Sequence, residues 1–547
     1  MPTFVAALWG RNCQPVVTFT RSLAGSSVDW TKCNSGGAFR HAKRRPRKNL
    51  IHYFSTIVGG GGGGEGGHDK ESDLARVDET NSPFRVYLAV GSNLGNRFDN
   101  IRQALNLLCQ DTSSKLVRTS FLHETAPMYV TDQPAFLNGA VELATTLPPL
   151  DLLDKLKRIE ADLGRSLEDG IRNGPRPVDL DILFYEARVE TGGSWFRRET
   201  LHSENLTIPH PRIQERAFVL KPLLEVTGPS FVHPVLNTTI GELYDRLLET
   251  TDDDEQGAVR VLPLPNDRFL YWNETLVMGI LNVTPDSFSD GGRFDQVEVA
   301  VQRALQMYEQ DGAAIIDVGG ESTRPGADDV LTEEELRRTI PVIQRIRELS
   351  SKIPISIDTR RAVVARAAVQ AGADVVNDVS GGSFDPNMLS TVADLGVPII
   401  LMHMRGTPKT MQTMTEYENV VDEVANALSE ASRAATDAGI PRWLQVVDPG
   451  IGFAKDMQGN LSLLRHLSRI RAKTHHLPML IGTSRKGFLG TLTNIPEAAD
   501  RDYATVASCV TALCLEEHCT SGTILRVHNP AAMVQAVKVM EAIRYES

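Results

Sequence analysis

Two carboxylates and several arginines lie close together in one short stretch of the chain. The segment Asp179-Leu180-Asp181-Ile182-Leu183-Phe184 alternates polar and apolar residues before it becomes fully apolar, as a strand entering a core does. Residues two positions apart on a strand share a face, so Asp179 and Asp181 are expected roughly 7 Å apart along it. Two such carboxylates repel each other unless a cation lies between them. The pattern suits a Mg²⁺ site for a nucleoside triphosphate, and equally a solvated edge strand.

Basic residues just upstream favour the first interpretation. Arg165, Arg172 and Arg176 precede the carboxylate pair, and the turn Gly174-Pro175-Arg176 directs the last of them toward it. Guanidinium groups beside metal-binding carboxylates are suited to a polyphosphate. The chain contains no Gly-x-x-x-x-Gly-Lys-Ser/Thr motif, so a nucleotide site here is not of the Walker type.

A second set of polar residues follows short apolar runs in the carboxy-terminal half. These runs are rich in β-branched residues, and each precedes a helix-length stretch: Leu276–Thr284, Ala313–Gly320, Pro354–Thr359, Val375–Ser380, Val397–Met404, Leu444–Gly450, Pro478–Ser484 and Ile524–Asn529. Eight such units predict a TIM (β/α)8 barrel, which carries its active site at the carboxyl ends of the strands. A single Asp or Asn there is usually a helix cap, whereas polar residues at nearly all eight ends indicate a site.

Changes in composition divide the chain. The glycine run at 59–64 cannot pack, and the acidic residues at 252–255 interrupt the apolar pattern. We therefore expect a presequence and Gly-rich linker at 1–83, a first domain at 84–250, a linker at 251–268 and the barrel at 269–547.

Charge and hydropathy bear on location and partners. Residues 1–64 contain nine Lys or Arg and one acidic residue, Asp29, which is typical of an organelle transit peptide; a basic tail that binds nucleic acid is the alternative. The whole chain has a formal net charge of −12, which argues against a polyanionic partner. No apolar stretch approaches the roughly 20 residues of a membrane span, so we expect no membrane segment.

The carboxy-terminal motifs resemble one enzyme family. The segments MGILNVTPDSFSDGG (278–292), DVGGESTRPGA (317–327), DPGIGFAK (448–455), GTSRKGFLG (482–490) and RVHN (526–529) are similar, in order, to the signature segments of dihydropteroate synthase. The resemblance implies condensation of a dihydropterin diphosphate with p-aminobenzoate, with Lys486 catalytic and Asn282 a ligand for Mg²⁺. It implies that pterin and diphosphate are bound by Thr323, Arg324, Asp358, Asn377, Met404, Asp448, Phe453, Lys486, Arg526 and His528.

The amino-terminal motifs resemble a second family, 6-hydroxymethyl-dihydropterin pyrophosphokinase. The similar segments are VGSNLGNR (90–97), ETAPMYVTDQPAFLN (124–138), RNGPRPVDLDIL (172–183) and the stretch from His210 to Phe218. The resemblance implies a ferredoxin-like α+β domain in which Asp179 and Asp181 hold Mg²⁺ and act in catalysis with Arg165 and Arg176. It implies that ATP is bound by Glu160, Arg165, Arg172, Arg176, His210 and Arg216, and the pterin by Thr125, Phe136, Asn138 and Phe218. Asn173 stands where some relatives carry Trp, and Phe136 where some carry Tyr.

The two resemblances fit one pathway, because the product of the first reaction is the substrate of the second. They imply a bifunctional transferase of folate biosynthesis of the plant mitochondrial type, with ATP as co-substrate, small-molecule partners and self-association through the barrel. One alternative is a barrel that transfers methyl groups from methyltetrahydrofolate to a corrinoid protein, which has no use for Arg324, Arg526 and His528. Another is a non-catalytic pterin-binding scaffold, which would be signalled by the loss of Asp179, Asp181, Asn282 or Lys486.

Overall fold

The amino-terminal domain is built on an antiparallel sheet interleaved with helices. The computed structural model describes residues 82–165, 174–190, 194–250, 257–284, 293–324, 326–516 and 522–544. The first elements are β1 (Phe84–Ser92), α1 (Arg97–Leu108), β2 (Ser114–Thr119), β3 (Leu122–Thr125), β4 (Phe136–Thr145), α2 (Pro149–Asp162), β5 (Asp179–Glu190) and β6 (Ser194–Arg198). Within the sheet the strand order is β3-β4-β1-β5-β6, and β2 also pairs with β4. The βαββαβ order of β1, α1, β3, β4, α2 and β5 confirms the predicted ferredoxin-like fold.

Helices cover both faces of this sheet, because successive apolar side chains along its strands point to opposite faces. Val86 and Leu88 of β1 are fully buried on the face covered by α1 and α2, whereas Tyr87 between them is fully buried on the opposite face. That opposite face is covered by α3 (Ala217–Thr227) and α4 (Ile240–Thr250). Four short strands form two small hairpins beside it: β7 (Leu201–His202) with β8 (Thr207–Ile208), and β9 (Val232–His233) with β10 (Thr238–Thr239).

A hairpin joins the two domains. Its strands are β11 (Val259–Leu264) and β12 (Arg268–Tyr271), and β11 pairs with β3 through Val261 and Leu122. The segment 251–268 that we expected to be a linker includes strand β11, whose Val261, Leu262 and Leu264 side chains are buried. Leu262 and Trp272 pack against the side chains inside the barrel. The segment 251–256 lies outside the described residues.

The carboxy-terminal domain is a closed barrel of eight parallel strands, which confirms the predicted TIM barrel. The strands are β13 (Leu276–Asn282), β14 (Ile315–Gly319), β15 (Ile355–Asp358), β16 (Val375–Asp378), β17 (Ile399–Met402), β18 (Gln445–Asp448), β19 (Met479–Ile481) and β20 (Thr523–Val527). Seven of them lie within the predicted apolar runs, and β20 begins one residue before its run. The helices around it are α5 (Arg293–Glu309), α6 (Thr332–Leu349), α7 (Ala362–Ala371), α8 (Met388–Leu395), α9 (Val420–Asp437), α10 (Met457–Arg465), α11 (Leu467–Lys473), α12 (Gly487–Thr493), α13 (Asp502–Leu515) and α14 (Pro530–Arg544).

The polarity of the barrel interior changes along its axis. Met278, Ile315 and Val375, which lie at or near the start of their strands, form one buried apolar cluster with the hairpin residues Leu262 and Trp272. The polar residues singled out in the sequence follow at the carboxyl ends of the strands, where a barrel carries its active site. Among the described residues, no helix is long and apolar enough to cross a membrane.

Candidate active sites

The carboxylate pair lies at the start of β5. Leu180 is buried, whereas Asp179 and Asp181 on either side of it are half-buried. The predicted shared face of the two carboxylates is thus consistent with the burial pattern of the strand. In the sheet, Asp179 pairs with Gly91 and Asp181 with Ala89 of the central strand β1. β5 also pairs with β6, but only from Glu186 to Glu190, so the described pairing at Asp179 and Asp181 is with β1 alone.

Two of the three predicted arginines contact this pair. The Arg165 Nη1 atom lies 2.7 Å from Asp179 Oδ1, and Arg176 Nη1 lies 3.0 Å from Asp179 Oδ2. Burial opposes ionisation of Asp179, but these guanidinium groups hold its pKa below the ordinary value. Burial and the neighbouring Asp179 charge raise the pKa of Asp181. Arg172 lies outside the described residues.

Glu160 lies behind the pair and not on its open side. Its side chain is buried, and its Oε2 atom lies 2.7 Å from Arg165 Nη1. Its Oε1 atom accepts a hydrogen bond of 2.8 Å from the Leu180 amide, and Lys157 Nζ donates to both oxygens. Both carboxylate oxygens are thus held by groups of the protein, and the expected contact of Glu160 with ATP stays a prediction. Glu160 positions Arg165 and β5.

The predicted pterin residues converge across three strands. Asn138 in β4 lies opposite Gly91 in β1, and its Nδ2 atom donates a hydrogen bond of 2.8 Å to Thr125 Oγ1 in β3. A Cβ atom at Gly91 would lie 2.7 Å from Asn138 Oδ1 and 3.9 Å from Asp179 Cβ. The absence of a side chain at position 91 therefore lets the amide and the carboxylate approach each other across β1.

The two predicted aromatic walls lie next to arginines. Phe136 is half-buried at the start of β4, and Arg176 Cζ lies 5.9 Å from its ring centroid. Phe218 is half-buried at the start of α3, and Arg216 Cζ lies 5.6 Å from its ring centroid. Flat aromatic rings with guanidinium groups beside them can bind a planar pterin and a phosphate together.

His210 connects the carboxylate pair to a cavity. Burial lowers the pKa of its imidazole, and the charge of Asp181 opposes that shift, which places the two side chains near each other. The cavity beside it has a volume of about 450 Å³, and its other lining residues include Thr207, Gln214 and His233. Its size suits part of a nucleotide.

Asn93 is a residue whose role the sequence interpretation missed, although it lies in the VGSNLGNR segment. Its side-chain Oδ1 atom accepts a hydrogen bond of 2.8 Å from the backbone amide of Arg176. Its backbone amide donates to the Arg176 carbonyl at 3.2 Å. Its Nδ2 atom donates to Gln133 Oε1 and to the Pro134 carbonyl, both at 3.1 Å. Asn93 therefore joins the loop that carries Arg176 to the segment that precedes Phe136.

In the barrel, three predicted residues and Gly319 form a row across four neighbouring strands. Asn282 pairs with Gly319, Gly319 with Asp358, and Asp358 with Asn377 across β13 to β16. A Cβ atom at Gly319 would lie 3.6 Å from Asp358 Cβ and 3.9 Å from Asn282 Oδ1. Gly319 thus leaves open the space between the predicted metal ligand and the pterin-binding carboxylate.

Arg526 is held by two carboxylates. Its Nε atom lies 2.6 Å from Asp317 Oδ2, and its Nη2 atom lies 2.6 Å from Asp358 Oδ2. Asn377 Nδ2 also donates to Asp317 Oδ2, at 3.2 Å. These two carboxylates hold the Arg526 guanidinium group in place, and its expected contact with the diphosphate stays a prediction. Asp317, which was not assigned a role, is fully buried and fixes both Arg526 and Asn377.

Lys486 lies over an aromatic ring beside a buried carboxylate. Its Nζ atom is 4.4 Å from the Phe453 ring centroid and donates to the Ile451 carbonyl. Burial lowers the pKa of Lys486 to about 8, although the Asp448 charge opposes the shift. Burial likewise raises the pKa of Asp448, which Lys486 opposes. The structure thus brings together three of the residues that we assigned to pterin and diphosphate binding, Lys486, Phe453 and Asp448.

His528 and the two arginines form the remaining part of the barrel site. The Ser484 Oγ atom lies 2.9 Å from His528 Nδ1 and accepts a hydrogen bond of 3.1 Å from the His528 amide. Burial lowers the pKa of His528 to about 3, and Arg526 and the exposed Arg324 contribute to that shift. His528 is therefore a neutral hydrogen-bonding group at neutral pH and not a third cation. Thr323 and Met404 are half-buried at the same end of the barrel.

Comparison with known proteins identifies both domains. The family model for 7,8-dihydro-6-hydroxymethylpterin-pyrophosphokinase matches residues 87–228, and the model for pterin binding enzyme matches residues 278–528. A dihydropteroate synthase of Synechocystis is 46% identical over 282 residues, which is 52% of this chain and 94% of that protein.

Similarity to two-domain proteins extends over most of the chain. The mitochondrial folate synthesis bifunctional protein of Arabidopsis thaliana is 43% identical over 491 residues, covering 85% of this chain and 84% of the relative. That of Pisum sativum is 44% identical over 481 residues, covering 84% and 89%. Because both domains align in one polypeptide at this identity, the chain belongs to the family of bifunctional folate synthesis proteins.

Proposed function

We propose that the two domains perform two consecutive steps of folate biosynthesis. The first transfers a diphosphoryl group from ATP to 6-hydroxymethyl-7,8-dihydropterin, which releases AMP. The second condenses the resulting ester with p-aminobenzoate, which gives 7,8-dihydropteroate and diphosphate. Membership of the bifunctional family supports both steps. The observation that carries the proposal is the convergence of Asp179, Asn138 and Gly91, which places a carboxylate beside a pterin-binding amide.

In the first step, the amino-terminal domain binds the planar pterin and the charged ATP in one cleft. Phe136 and Phe218 hold the pterin ring by stacking, and Asn138 orients it through its amide. Arg165 and Arg176, both within 3.0 Å of Asp179, lie where phosphate oxygens would be neutralised. The pterin hydroxyl oxygen attacks the β-phosphorus as the bond to AMP breaks, so positioning and charge neutralisation account for most of the catalysis.

The donor set of the first domain fits Mg²⁺. Asp179 and Asp181 are hard oxygen ligands, and Mg²⁺ at phosphate-transfer sites commonly uses one or two carboxylates together with substrate phosphates. No group of three or more His, Cys, Asp or Glu side chains suited to a metal occurs among the described residues, which is compatible with such a two-carboxylate site. Mg²⁺ held by this pair would neutralise charge on the triphosphate. In the barrel, Asn282 offers one amide oxygen for the same purpose.

In the second step, the barrel residues bind the pterin and stabilise the leaving group. Asp358, Asn377 and Asp448 offer acceptors and donors to the pterin ring, with Lys486 over Phe453 beside them. The bond between the pterin methylene and the diphosphate breaks, and the amine of p-aminobenzoate attacks that carbon and loses a proton. Arg324, Thr323 and the neutral His528 donate hydrogen bonds to the leaving oxygens.

The nature of the products tests the first reaction directly. Purified protein incubated with ATP, Mg²⁺ and 6-hydroxymethyl-7,8-dihydropterin should form AMP and the pterin diphosphate in equal amounts. Omission of the pterin should leave the ATP intact. Formation of ADP, or of AMP without pterin, would contradict the proposal.

We also propose that residues 1 to about 64 direct the protein to mitochondria. The basic, acid-poor composition of this segment supports the proposal, as do the names of the relatives from Arabidopsis thaliana and Pisum sativum. A fluorescent protein fused to residues 1–64 should enter mitochondria, and removal of the segment should leave both activities unchanged in vitro. A cytosolic fusion protein would contradict this assignment.

Self-association through the barrel is a further proposal. The last two helices expose large apolar side chains, among them Tyr503 on α13 and Val539 and Ile543 on α14. Val539 and Ile543 are four residues apart, so they share one helix face. A dimer should be seen by light scattering, and Ile543→Glu should shift it toward monomer. A protein that is monomeric at all concentrations would contradict the proposal.

A further inference from the structure

The hairpin β11–β12 is attached to the barrel through an ion pair at the base of β12. Arg268 is ion-paired with Asp374, which precedes β16, and Asp374 also accepts a hydrogen bond of 2.8 Å from Arg347. Asp374 is buried, so this connection is shielded from solvent. The hairpin is therefore held on one side by the barrel, while its other side adds a strand to the sheet of the first domain.

The turn of the hairpin carries an unusual aspartate. Asn266 and Asp267 adopt φ values of +65° and +53°, a left-handed conformation that Asn and Asp tolerate better than other non-glycine residues. The Asp267 Oδ1 atom accepts a hydrogen bond of 2.9 Å from the Arg97 amide, and its Oδ2 atom accepts one of 3.0 Å from Arg97 Nε. Asp267 thus fixes both the backbone and the side chain of Arg97.

Arg97, the first residue of α1, also contacts two other residues of the first domain. Its Nη1 atom donates to Glu124 Oε1 at 2.7 Å and to the Ala135 carbonyl at 3.1 Å. A second contact from the hairpin reaches the same place, because the Tyr271 hydroxyl donates to Glu124 Oε2 at 2.9 Å. The side chain of Arg97 is only 13% exposed, so these charged contacts are made largely out of water.

Glu124 and Ala135 lie near the two ends of the segment that connects β3 to β4, next to residues assigned to the pterin site. Each immediately precedes a residue assigned to pterin binding, Thr125 and Phe136, and these two residues pair with each other across β3 and β4. The segment 126–135 connects them. A shift of Ala135 would therefore move the ring of Phe136. A shift of Glu124 would move the Thr125 hydroxyl, which accepts a hydrogen bond from the Asn138 amide.

We propose that Asp267 and Tyr271 of the β11–β12 hairpin are positioning residues for the pterin site of the first domain, acting through Arg97 and Glu124. The inference rests on the proposed first reaction and adds a requirement to it: a segment that joins the barrel sets the geometry of pterin binding in the neighbouring domain. Neither residue contacts substrate, so their removal should weaken pterin binding more than it slows the transfer itself.

The test compares three full-length variants in the first reaction. Asp267→Asn keeps the shape and the left-handed turn but removes the charge, and Tyr271→Phe removes only a hydroxyl. Asp267→Asn should raise the KM for 6-hydroxymethyl-7,8-dihydropterin roughly tenfold, as expected for a lost charge-assisted hydrogen bond. Tyr271→Phe should raise it by a smaller factor. Asn266→Gly, an exposed change in the same turn, is the matched control and should leave it unchanged.

Three further measurements separate positioning from a general structural role. The kcat of the first reaction and the KM for ATP should change by less than about twofold. Condensation from supplied pterin diphosphate should be unchanged, since the barrel site is at the far ends of the strands. An unchanged pterin KM in both Asp267→Asn and Tyr271→Phe would overturn the inference, as would a parallel loss of both activities with a lower melting temperature. Absence of AMP formation in the unmodified protein would instead refute the first reaction itself.

Discussion

Gly91 packs directly against Asn138: a Cβ atom at position 91 would lie 2.7 Å from Asn138 Oδ1. The same position faces Asp179 on the other side of β1, at 3.9 Å from its Cβ atom. The central strand of the sheet therefore has no side chain where the Asn138 amide, which we assign to the pterin, and the Asp179 carboxylate, which we assign to Mg²⁺, come together. We propose this close approach as the geometric basis of the first active site.

Gly91→Ala should consequently impair pterin binding. The added methyl group must displace the Asn138 amide, and overpacking of this kind costs about 1–3 kcal/mol. A cost of this size corresponds to a rise in the pterin KM of about fivefold or more, while the condensation in the barrel should be unaffected. Steady-state kinetics with varied pterin measures the effect. A normal pterin KM in this variant would show that the amide does not bind the substrate.

The carboxylate pair should be needed for the first reaction alone. Asp179→Ala and Asp181→Ala each remove a ligand for Mg²⁺ and should abolish AMP formation, whereas the barrel should still use supplied pterin diphosphate. Asp162→Ala, at an exposed site at the end of α2, is the control and should be fully active. Diphosphate transfer by either active-site variant at normal Mg²⁺ concentrations would refute the metal assignment.

Lys486 should lower the stability of the barrel at neutral pH. Burial brings its pKa to about 8, against roughly 10.4 in an unfolded chain, so folding disfavours its charged form. The penalty is complete below pH 8 and disappears as the pH rises toward 10.4. Lys486→Met should therefore raise the free energy of unfolding at pH 7 by at most about 3 kcal/mol, less the cost of leaving the buried Asp448 charge unopposed, with a gain that shrinks above pH 8.

The same substitution should depress the condensation at least tenfold and leave the first reaction unchanged, because the ammonium group contacts only the barrel site. Thermal unfolding between pH 7 and 10, together with assays of both reactions, measures both effects. Near-normal condensation, with unchanged apparent affinity for both substrates, would refute the role of Lys486. A stability gain that does not vary with pH would refute its charge as the cause.

Asp317 should matter although it was assigned no role in binding. It is fully buried and accepts hydrogen bonds from Arg526 and Asn377. Asp317→Asn keeps the size of the side chain but removes a charge that balances Arg526, which should destabilise the barrel by about 3 kcal/mol. We expect condensation to fall at least tenfold and AMP formation to persist. Calorimetry and the two assays test this, and a stable variant with normal condensation would contradict it.

The sequence predicted the barrel well because its strands are nearly continuous apolar runs. Ile355–Asp358 and Gln445–Asp448, for example, are fully buried, as expected for parallel strands covered on both faces. The row from Asn282 to Asn377 could be anticipated for the same reason, since the ends of parallel strands meet at one edge. In the first domain, period-two alternation was enough to place Asp179 and Asp181 together.

The remaining features depend on contacts between distant parts of the chain. Arg526 is 209 residues from Asp317 and 168 from Asp358, so no local pattern indicates that its charge is balanced. We expected a linker at 251–268 because acidic residues interrupt the apolar pattern at 252–255, and no local pattern indicates that β11 pairs with β3. The burial of Glu160 likewise depends on Arg165 and the Leu180 amide, whose geometry is set by tertiary packing.

Because it contains both domains, one polypeptide should make dihydropteroate from an unactivated pterin. The most direct measurement supplies the purified protein with ATP, Mg²⁺, 6-hydroxymethyl-7,8-dihydropterin and labelled p-aminobenzoate, and follows the label. We expect labelled dihydropteroate, formed only when ATP is present. If label is incorporated only when pterin diphosphate is supplied, or is not incorporated at all, the two-step function is contradicted.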